Sequence, residues 1–303
     1  MIREEYEFND LREYLYEHND ILITGNSGEE ERSVFFYNLW ISKHKNVVKL
    51  IRVNDKVAVE SIIEGTYKRI EDLDLFIGLR EILRILNIEG RNVLIDISSL
   101  DHVLIMIITK ILLNDVVPKN LFAAYIRPKR YSNQSGNVGF SLCEKILGVK
   151  AVPGFARREW EKPVLCSFMG FEGIRLKGII ESISNFDKII PILAFPVGAS
   201  QWYNVTMRNS MNVLHGEFSD ATIYKCCSES IFNAVDLLKE ILGREEKMII
   251  APLGTRAHSM ASAIFASHHS NSKIIYDYVV ENKHRAEGIA HVTVYHLTSF
   301  IKT

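Results

Sequence analysis

One segment, residues 247–283, constrains the fold more than any other: KMIIAPLGTRAHSMASAIFASHHSNSKIIYDYVVENK. It begins with the short apolar run 248–251, breaks at 252–255, continues with small and apolar residues at helical spacing, and closes with the apolar run 274–276. This pattern is typical of a buried strand, a glycine-containing turn, a helix and a returning strand. In such a unit the turn lies at the amino end of the helix, where unpaired backbone N–H groups favour an anion.

The turn of this segment supplies the first candidate ligand contacts: Gly254, Thr255, Arg256 and His258. Thr255 can cap the helix through its side-chain oxygen. His258 can donate a hydrogen bond to an anion or transfer a proton.

The same order of elements occurs in two parts of the chain. ILITGNSGEEER in the first part corresponds to VLCSFMGFEGIR in the second, and NVLIDISSLDHVLIMIITKIL corresponds to KMIIAPLGTRAHSMASAIFAS. Apolar strands that alternate with helices indicate parallel sheets covered on both faces, and a repeat this long indicates a duplicated domain. The predicted fold is therefore α/β, with two tandem Rossmann-like halves related by internal duplication. They are predicted at 1–131 and 164–303, and the Asn, Ser, Gly and Pro residues of 132–163 predict a connection or insertion.

The patterns that predict individual strands and helices are clear in some segments and absent in others. Residues 55–65 give no clear pattern, whereas 73–86 carry apolar residues at i, i+3, i+4 and i+7, which predicts a helix. Ser98 and Ser99 are predicted to cap a helix at 100–113. Residues 291–297 are predicted as a last strand of the second half.

Doubly wound sheets bind ligands outside the carboxyl ends of their strands, and this rule selects four turns. Glycine allows close backbone approach, and arginine can bind phosphate through two N–H groups. Two halves packed around a pseudo-twofold axis would bring these turns together across a groove. The candidate ligand-binding residues are Gly25, Ser27, Glu30, Arg32, Ser98, Asp101, Gly170, Glu172, Arg175, Gly254, Thr255, Arg256 and His258. The alternative for each turn is a plain helix cap, since the helix dipole stabilises an acidic residue in a first turn.

Motifs that would specify a reaction are absent from the sequence. The four turns carry neither GxGxxG nor GxxxxGK[ST], and neither GxSxG nor HExxH is found. Asp96, Glu172 and His258 are candidate acid–base groups, although Asp96 is explained more simply as a cap of its own turn. Neither a metal site nor a cofactor is predicted, because the histidines lack metal-ligand spacing. Trp202 and Tyr203 can stack on a base or pack at a sheet edge.

Composition restricts the class of protein and its location. The chain has 303 residues, 47% of them hydrophobic and 24% charged, which is typical of a globular protein. The formal net charge of −1 gives no overall attraction to nucleic acid or to an anionic membrane. No apolar run reaches the roughly 18–20 residues that span a bilayer. The four cysteines have no CxxC spacing, so we expect reduced thiols and a cytoplasmic protein.

At PLGTRAHSMASAIFA and KIIYDY the order of elements resembles the end of the CARF and SAVED ligand-sensing domains of prokaryotic immunity. Those domains are Rossmann-like, and SAVED domains look like two fused CARF-like halves, as this chain does. The resemblance implies recognition of a nucleotide second messenger between the halves, through Gly254, Thr255, Arg256 and His258. The sequence shows no nuclease, protease or membrane effector, so we expect a separate effector or complex subunit as partner.

Three functions follow from these patterns. The first is a cytoplasmic, nucleotide-binding regulatory protein, placed in antiviral defence by the resemblance. The second is an enzyme acting on a nucleotide or nucleoside through Asp96, Glu172 or His258. The third is a non-catalytic subunit of a larger defence complex, in which the four turns are only helix caps.

Overall fold

The chain divides into two compact units. A computed structural model describes residues 3–18, 20–25, 30–43, 45–131, 143–157, 159–183, 185–197, 200–215, 218, 220–245, 247–281 and 286–301. The first unit combines Met1–Arg130 with Ala286–Thr303, and the second is Tyr131–Arg285. The second unit is thus one continuous stretch, inserted between the two parts of the first.

The first unit is built on a mixed sheet with the strand order β1-β14-β7-β6-β2-β3-β4-β5. Its strands are β1 (Glu5–Glu7), β2 (Ile21–Thr24), β3 (Asn46–Val53), β4 (Lys56–Ile63), β5 (Thr66–Asp74), β6 (Asn92–Asp96), β7 (Asn120–Tyr131) and β14 (Ala286–His296). Its helices are α1 (Phe8–His18), α2 (Glu31–Ser42), α3 (Ile77–Ile85), α4 (His102–Asn114) and α9 (Leu297–Ile301). The strands β3, β2, β6 and β7 run parallel, whereas β4 and β5 form an antiparallel extension at one edge.

The core of the first unit lies between the parallel strands and their helices. Leu22, Leu94 and Phe122 come from three strands of the sheet and belong to the same buried cluster as Phe36 and Trp40 of α2. The helix α4 (HVLIMIITKILLN) is apolar almost all round, as expected of a helix buried on most of its circumference. This packing holds the turns that follow β2 and β6 on a rigid base.

The second unit is built on a sheet with the strand order β11-β10-β9-β12-β13-β8. Its strands are β8 (Cys143–Ala151), β9 (Val164–Phe168), β10 (Ile189–Ala194), β11 (Tyr224–Cys226), β12 (Met248–Pro252) and β13 (Ser272–Glu281). Its helices are α5 (Gly173–Ser182), α6 (Ser200–Leu214), α7 (Ile231–Leu242) and α8 (Arg256–His268). All strands except β8 run parallel, and β8 pairs antiparallel with β13. The short apolar strands β9, β10 and β12 are buried throughout, as strands covered on both faces are.

The prediction of an α/β fold is confirmed, but the sheets are mixed rather than purely parallel. Residues 55–65, which had no clear pattern, contain all of β4 and its turn into β5, and Glu64 and Gly65 supply the positive φ angles of that turn. The predicted helix at 73–86 begins later, at Ile77, because β5 continues to Asp74.

The observed units also divide the chain at other places than predicted. The predicted connection 132–163 contains β8, which completes the second sheet, while its Asn- and Gly-rich part lies outside the described residues. The predicted last strand at 291–297 falls mostly within β14, which belongs to the first sheet. No helix in the described ranges is long and apolar enough to cross a membrane.

Candidate functional site

The four candidate turns lie at the carboxyl ends of neighbouring parallel strands. In the first unit β2 pairs with β6, and in the second β9 pairs with β12. In each sheet the chain first continues to a neighbour on one side, β3 or β10, and later returns on the other side with β6 or β12. Each pair therefore flanks a topological switch point, which is where open α/β sheets bind ligands.

In the first unit, Gly25 joins the two turns backbone to backbone. A Cβ at Gly25 would lie 2.0 Å from the carbonyl oxygen of Ser99, so only glycine fits. The Gly25 N–H donates to Ser99 Oγ at 2.8 Å, and Thr24 Oγ1 lies 2.9 Å from the same hydroxyl. Gly25 therefore has a packing role, and Ser27 lies outside the described residues.

Glu30 and Arg32 are buried together at the start of α2. Arg32 Nε donates to Glu30 Oε2 at 2.7 Å. Glu30 occupies the N-cap position, but its side chain caps no N–H of the helix. The carboxylate of Glu30 already matches the charge of Arg32, which fits a structural pair better than a phosphate clamp.

Asp101, rather than Ser98 or Ser99, caps the helix that follows β6. Its Oδ1 accepts hydrogen bonds from the N–H groups of Val103 and Leu104 at 2.9 and 3.0 Å. These bonds satisfy two of the orphan donors of the first turn of α4. The predicted serine cap is therefore wrong, and the helix begins at His102.

Arg52, near the end of β3, forms an ion pair across the first switch point. Thr24, the last residue of β2, pairs with Lys49, and β3 continues beyond that pair to Val53. Arg52 Nε then donates to Asp101 Oδ2 at 3.0 Å. Because β2 lies between β3 and β6, this ion pair extends over the carboxyl end of β2.

Asp96 and Ser98 are fully buried and hold the turn after β6. Asp96 Oδ1 accepts the N–H of Ser98 at 2.9 Å, and Ser98 Oγ accepts the N–H of Ile126 at 2.6 Å. This is the geometry of an aspartate that caps its own turn. Ser98 in turn attaches the loop to β7.

In the second unit, Gly170 makes the same kind of contact as Gly25. A Cβ at Gly170 would lie 2.3 Å from the carbonyl oxygen of Leu253, in the turn after β12. At Gly173, the first residue of α5, a Cβ would lie 2.2 Å from the carbonyl oxygen of Asn209 in α6. Asn209 Nδ2 also donates to the carbonyl oxygen of Phe171 at 2.6 Å, so α6 covers the start of α5.

Arg175 is the most completely bound charge among the candidate residues. Its Nε and one terminal nitrogen donate to the two carboxylate oxygens of Asp277 at 2.6 and 2.7 Å, and it donates to the Tyr276 hydroxyl at 3.0 Å. Glu172 lies farther away, at 3.9 Å. Burial disfavours the charged form, but Tyr276, Asp277 and Glu172 together raise the pKa of Arg175 above its ordinary value. Arg175 therefore joins α5 to β13.

The turn after β12 forms a capping box. Thr255 Oγ1 accepts the N–H of His258 at 3.3 Å, and His258 Nδ1 accepts the N–H of Thr255 at 3.3 Å. Thr255 also donates its hydroxyl proton to the carbonyl oxygen of Ser228 at 2.6 Å. A Cβ at Gly254 would lie 2.5 Å from His258 Nδ1, so the glycine is needed for the box to close.

His258 is fully buried and neutral. Because Nδ1 accepts a hydrogen bond, the ring proton is on Nε2, which donates to the carbonyl oxygen of Cys227 at 3.0 Å. The ring stacks on Phe168, with centroids 4.5 Å apart. Burial lowers the pKa of His258 to about 4, although the bond to Cys227 opposes the shift. Both ring nitrogens are engaged in hydrogen bonds, which leaves no free atom for anion binding or proton transfer. Arg256, two residues earlier in the same turn, is buried as well.

The four helix starts differ in how their N–H groups are satisfied. Asp101 caps α4 and Thr255 caps α8. At α5 the N-cap residue Glu172 makes no such bond, and in the described part of the chain no acceptor is found for the N–H groups of Gly173 and Ile174. Gly173 is buried against α6, whereas Ile174 is 65% exposed, so this helix start is accessible on the side of Ile174. The first turn of α2 is uncapped as well, since Glu30 caps no N–H there, but it carries the acidic residue Glu31, which repels an anion. The first turn of α5 contains no acidic residue, so its donors are the better placed for an anionic ligand.

Several residues that shape these turns were not predicted. Arg52 and Asp277 are the charged partners of Asp101 and Arg175, but they lie far away in sequence, and no local pattern identifies them. Phe195 and Lys225 were not predicted either; they lie near the carboxyl ends of β10 and β11, beside Tyr203 of α6, which the sequence had offered for base stacking or packing. Their signal is visible after the fact, since an apolar strand, IIPILA, runs directly into an exposed phenylalanine.

Neither metal chemistry nor ancestry identifies the site. Among the residues that the structure describes, no group of three or more His, Cys, Asp or Glu side chains could hold a metal ion. No protein-family model matches the chain, and the search of curated proteins found no match.

Proposed function

We propose that this protein is a nucleotide-binding regulatory protein whose ligand places a phosphate at the amino end of α5. The observation that carries the proposal is the uncapped first turn of α5, at the switch point between β9 and β12. Unpaired N–H groups and the positive end of the helix dipole both favour an anion there.

The second unit is the better candidate for this site. In the first unit the Arg52–Asp101 ion pair lies over the carboxyl end of β2, and the α4 donors are used by Asp101. The start of α2 is uncapped, but Glu31 in its first turn disfavours an anion. In the second unit β10 ends at Ala194, and α5 begins without a cap. The ligand site between two Rossmann-like halves, expected from the sequence, stays a prediction.

The matching turns support the further proposal that the units arose by duplication. In both sheets the first parallel strand lies between its successor and a later strand, in the orders β3-β2-β6-β7 and β10-β9-β12-β13. In both, a glycine after that strand packs on a carbonyl oxygen of the opposite turn: Gly25 on Ser99 and Gly170 on Leu253. A regulatory role in defence, acting with a separate effector, rests on the CARF and SAVED resemblance, and the cytoplasmic location rests on the cysteine pattern of the sequence.

The contacts favour binding over catalysis. Each acid–base candidate of the enzyme hypothesis already has a partner in the structure. Asp96 accepts the N–H of Ser98, Glu172 lies beside Arg175, and both nitrogens of His258 are engaged.

A thermal-melt screen tests the proposal, using NAD, ATP, GTP and a panel of cyclic di- and oligonucleotides, with mass spectrometry of each ligand afterwards. A ligand at 100 times its dissociation constant adds about 2.7 kcal/mol of stability. We expect Ile174→Glu to abolish the shift, because the carboxylate repels a phosphate while the helix dipole tolerates it. Ile77→Glu is the matched control, at a 60% exposed isoleucine in the first turn of α3.

The outcomes separate the three hypotheses. A shift with intact ligand, lost in Ile174→Glu and kept in Ile77→Glu, supports the sensor. A cleaved ligand would replace it with the enzyme. The absence of a shift with every nucleotide would leave the structural subunit.

A further inference from the structure

An aromatic pair with an ammonium above it lies beside the start of α5. The rings of Phe195 and Tyr203 are edge to face, with centroids 5.6 Å apart. Lys225 Nζ lies 5.0 Å from the Phe195 centroid and 5.9 Å from that of Tyr203. Phe195 is 49% exposed, and Lys225 is exposed too, so the cluster faces solvent. We refer to Phe195, Tyr203 and Lys225 as the aromatic cluster.

Phe195 and the turn that precedes α5 both follow the carboxyl ends of neighbouring parallel strands, β10 and β9. Ile192 of β10 pairs with Phe168, the last residue of β9. The strand β9 ends there and the turn to α5 begins at Met169, while β10 continues to Ala194 and is followed directly by Phe195. Phe195 is held there by its N–H, which donates to the carbonyl oxygen of Cys226 at 2.6 Å.

Trp202, on the buried side of α6, packs against the turn that precedes α5 and is the neighbour of Tyr203 in the aromatic cluster. Its ring lies 6.4 Å from that of Phe171 and 4.9 Å from that of Tyr131. Trp202 is only 6% exposed, so it packs and does not stack on a ligand, whereas Tyr203, the next residue, belongs to the exposed cluster. The packed rings fix the cluster relative to the amino end of α5.

We propose that the aromatic cluster binds the base of the nucleotide whose phosphate lies at α5, an inference that rests on the proposed function. In a mononucleotide-binding βαβ unit the phosphate lies at the helix start after the first strand, and the sugar lies near the end of the second. At the end of β10 this chain has phenylalanine instead of the carboxylate that contacts a ribose in dinucleotide sites. A ring in that position offers a flat apolar surface, on which any base can stack.

Lys225 determines which edge of the base is bound. An ammonium group only donates hydrogen bonds, so it pairs with acceptor atoms such as O6 and N7 of guanine. When a base stacks on Phe195, the ammonium moves from the ring face to that acceptor edge. The ligand class is therefore a nucleotide with an intact aromatic base, and a sugar phosphate lacks half of the binding surface.

Titration calorimetry with GMP and ribose 5-phosphate tests this inference, because the two probes share the phosphate and differ in the base. We expect GMP to bind at least about fivefold more tightly than ribose 5-phosphate. Phe195→Leu should remove most of that difference while leaving ribose 5-phosphate affinity unchanged. Phe186→Leu is the matched control, since Phe186 stacks on Phe218 in the same unit, with centroids 5.7 Å apart, away from the strand ends considered.

Each result has a distinct meaning. Equal affinities for GMP and ribose 5-phosphate, or a GMP advantage that survives Phe195→Leu, would overturn the base site and leave the phosphate site standing. If neither probe nor any nucleotide of the screen binds the wild-type protein, the proposed function fails as a whole. A GMP advantage lost equally in Phe186→Leu would show that the variants perturb the unit as a whole, which also counts against the aromatic cluster.

Discussion

His258 makes the stability of this protein depend on pH. Its folded pKa is about 4, below the ordinary value of about 6.5 for an exposed histidine. The unfolded chain therefore binds a proton at a higher pH than the folded chain, and stability falls as pH drops from 6.5 towards 4. Between pH 7 and pH 5 we expect His258 alone to lower the free energy of unfolding by about 2 kcal/mol.

Urea denaturation at the two pH values measures this loss. The variant His258→Gln should show a smaller pH dependence than the wild type, because glutamine does not titrate. His268→Gln, at a histidine near the end of the same helix, should retain the wild-type dependence. Equal dependence in all three proteins would mean that His258 is not the buried neutral group described.

Gly170 is predicted to be irreplaceable for a steric reason. A Cβ 2.3 Å from the Leu253 carbonyl oxygen forces backbone to move, so Gly170→Ala should lower the free energy of unfolding by about 1–3 kcal/mol or more. Gly178 lies in the interior of α5, where an added Cβ would have no neighbouring atom within 4 Å. Gly178→Ala should therefore stabilise, by about 0.5–1 kcal/mol. Thermal melts would contradict the packing argument if both substitutions had the same sign.

At the scale of elements, the buried ion pair between α5 and β13 carries the clearest prediction. Asp277→Asn leaves Arg175 buried without its carboxylate, which should cost about 3–5 kcal/mol. Replacing both partners, as Arg175→Met with Asp277→Leu, should recover most of that loss. Urea denaturation can compare these variants with Glu240→Gln, which breaks the exposed Arg244–Glu240 pair and should cost less than about 1 kcal/mol. Similar costs at the two sites would rule out the buried pair as a stabilising contact.

The sequence predicts those elements best whose signals are local. The strand β12, the cap Thr255 and the helix α8 were all predicted, because a short apolar run, a glycine turn and helical spacing follow one another within the segment. The strand β8 was missed, because its pairing with β13 joins residues far apart in sequence. The α3 start was placed too early, since Leu73 fits the helical spacing although it belongs to β5.

The candidate site shows the same limit. The turns were located correctly from the order of strands and helices, but what each side chain does there depends on distant partners. Asp277 of β13 binds Arg175 of α5, and Arg52 of β3 binds Asp101 in the turn after β6. Glycines that were expected to admit a ligand admit a neighbouring backbone instead. Local sequence cannot distinguish these two reasons for a glycine.

At the scale of the whole molecule, the first unit depends on a segment that the chain supplies last. The strand β14 lies between β1 and β7 in the first sheet, and it brings the buried side chains Val294 and Tyr295. The helix α9 adds Leu297 and Phe300, both buried. The second unit, in contrast, contains all the strands of its own sheet between residues 143 and 281.

A chain ending at Arg285 should therefore keep the second unit folded and lose the first. Without β14, the strand β1 has no neighbour in the sheet and β7 becomes an unprotected edge. Amide hydrogen exchange should show protection retained in β9 and β12 and lost in β2 and β6. Because β7 and β14 are neighbours, joining Met1–Arg130 to Ala286–Thr303 through a short glycine-serine linker should restore that protection without the second unit. Full protection of β2 in the shortened chain would mean that the first unit does not need its returning strand.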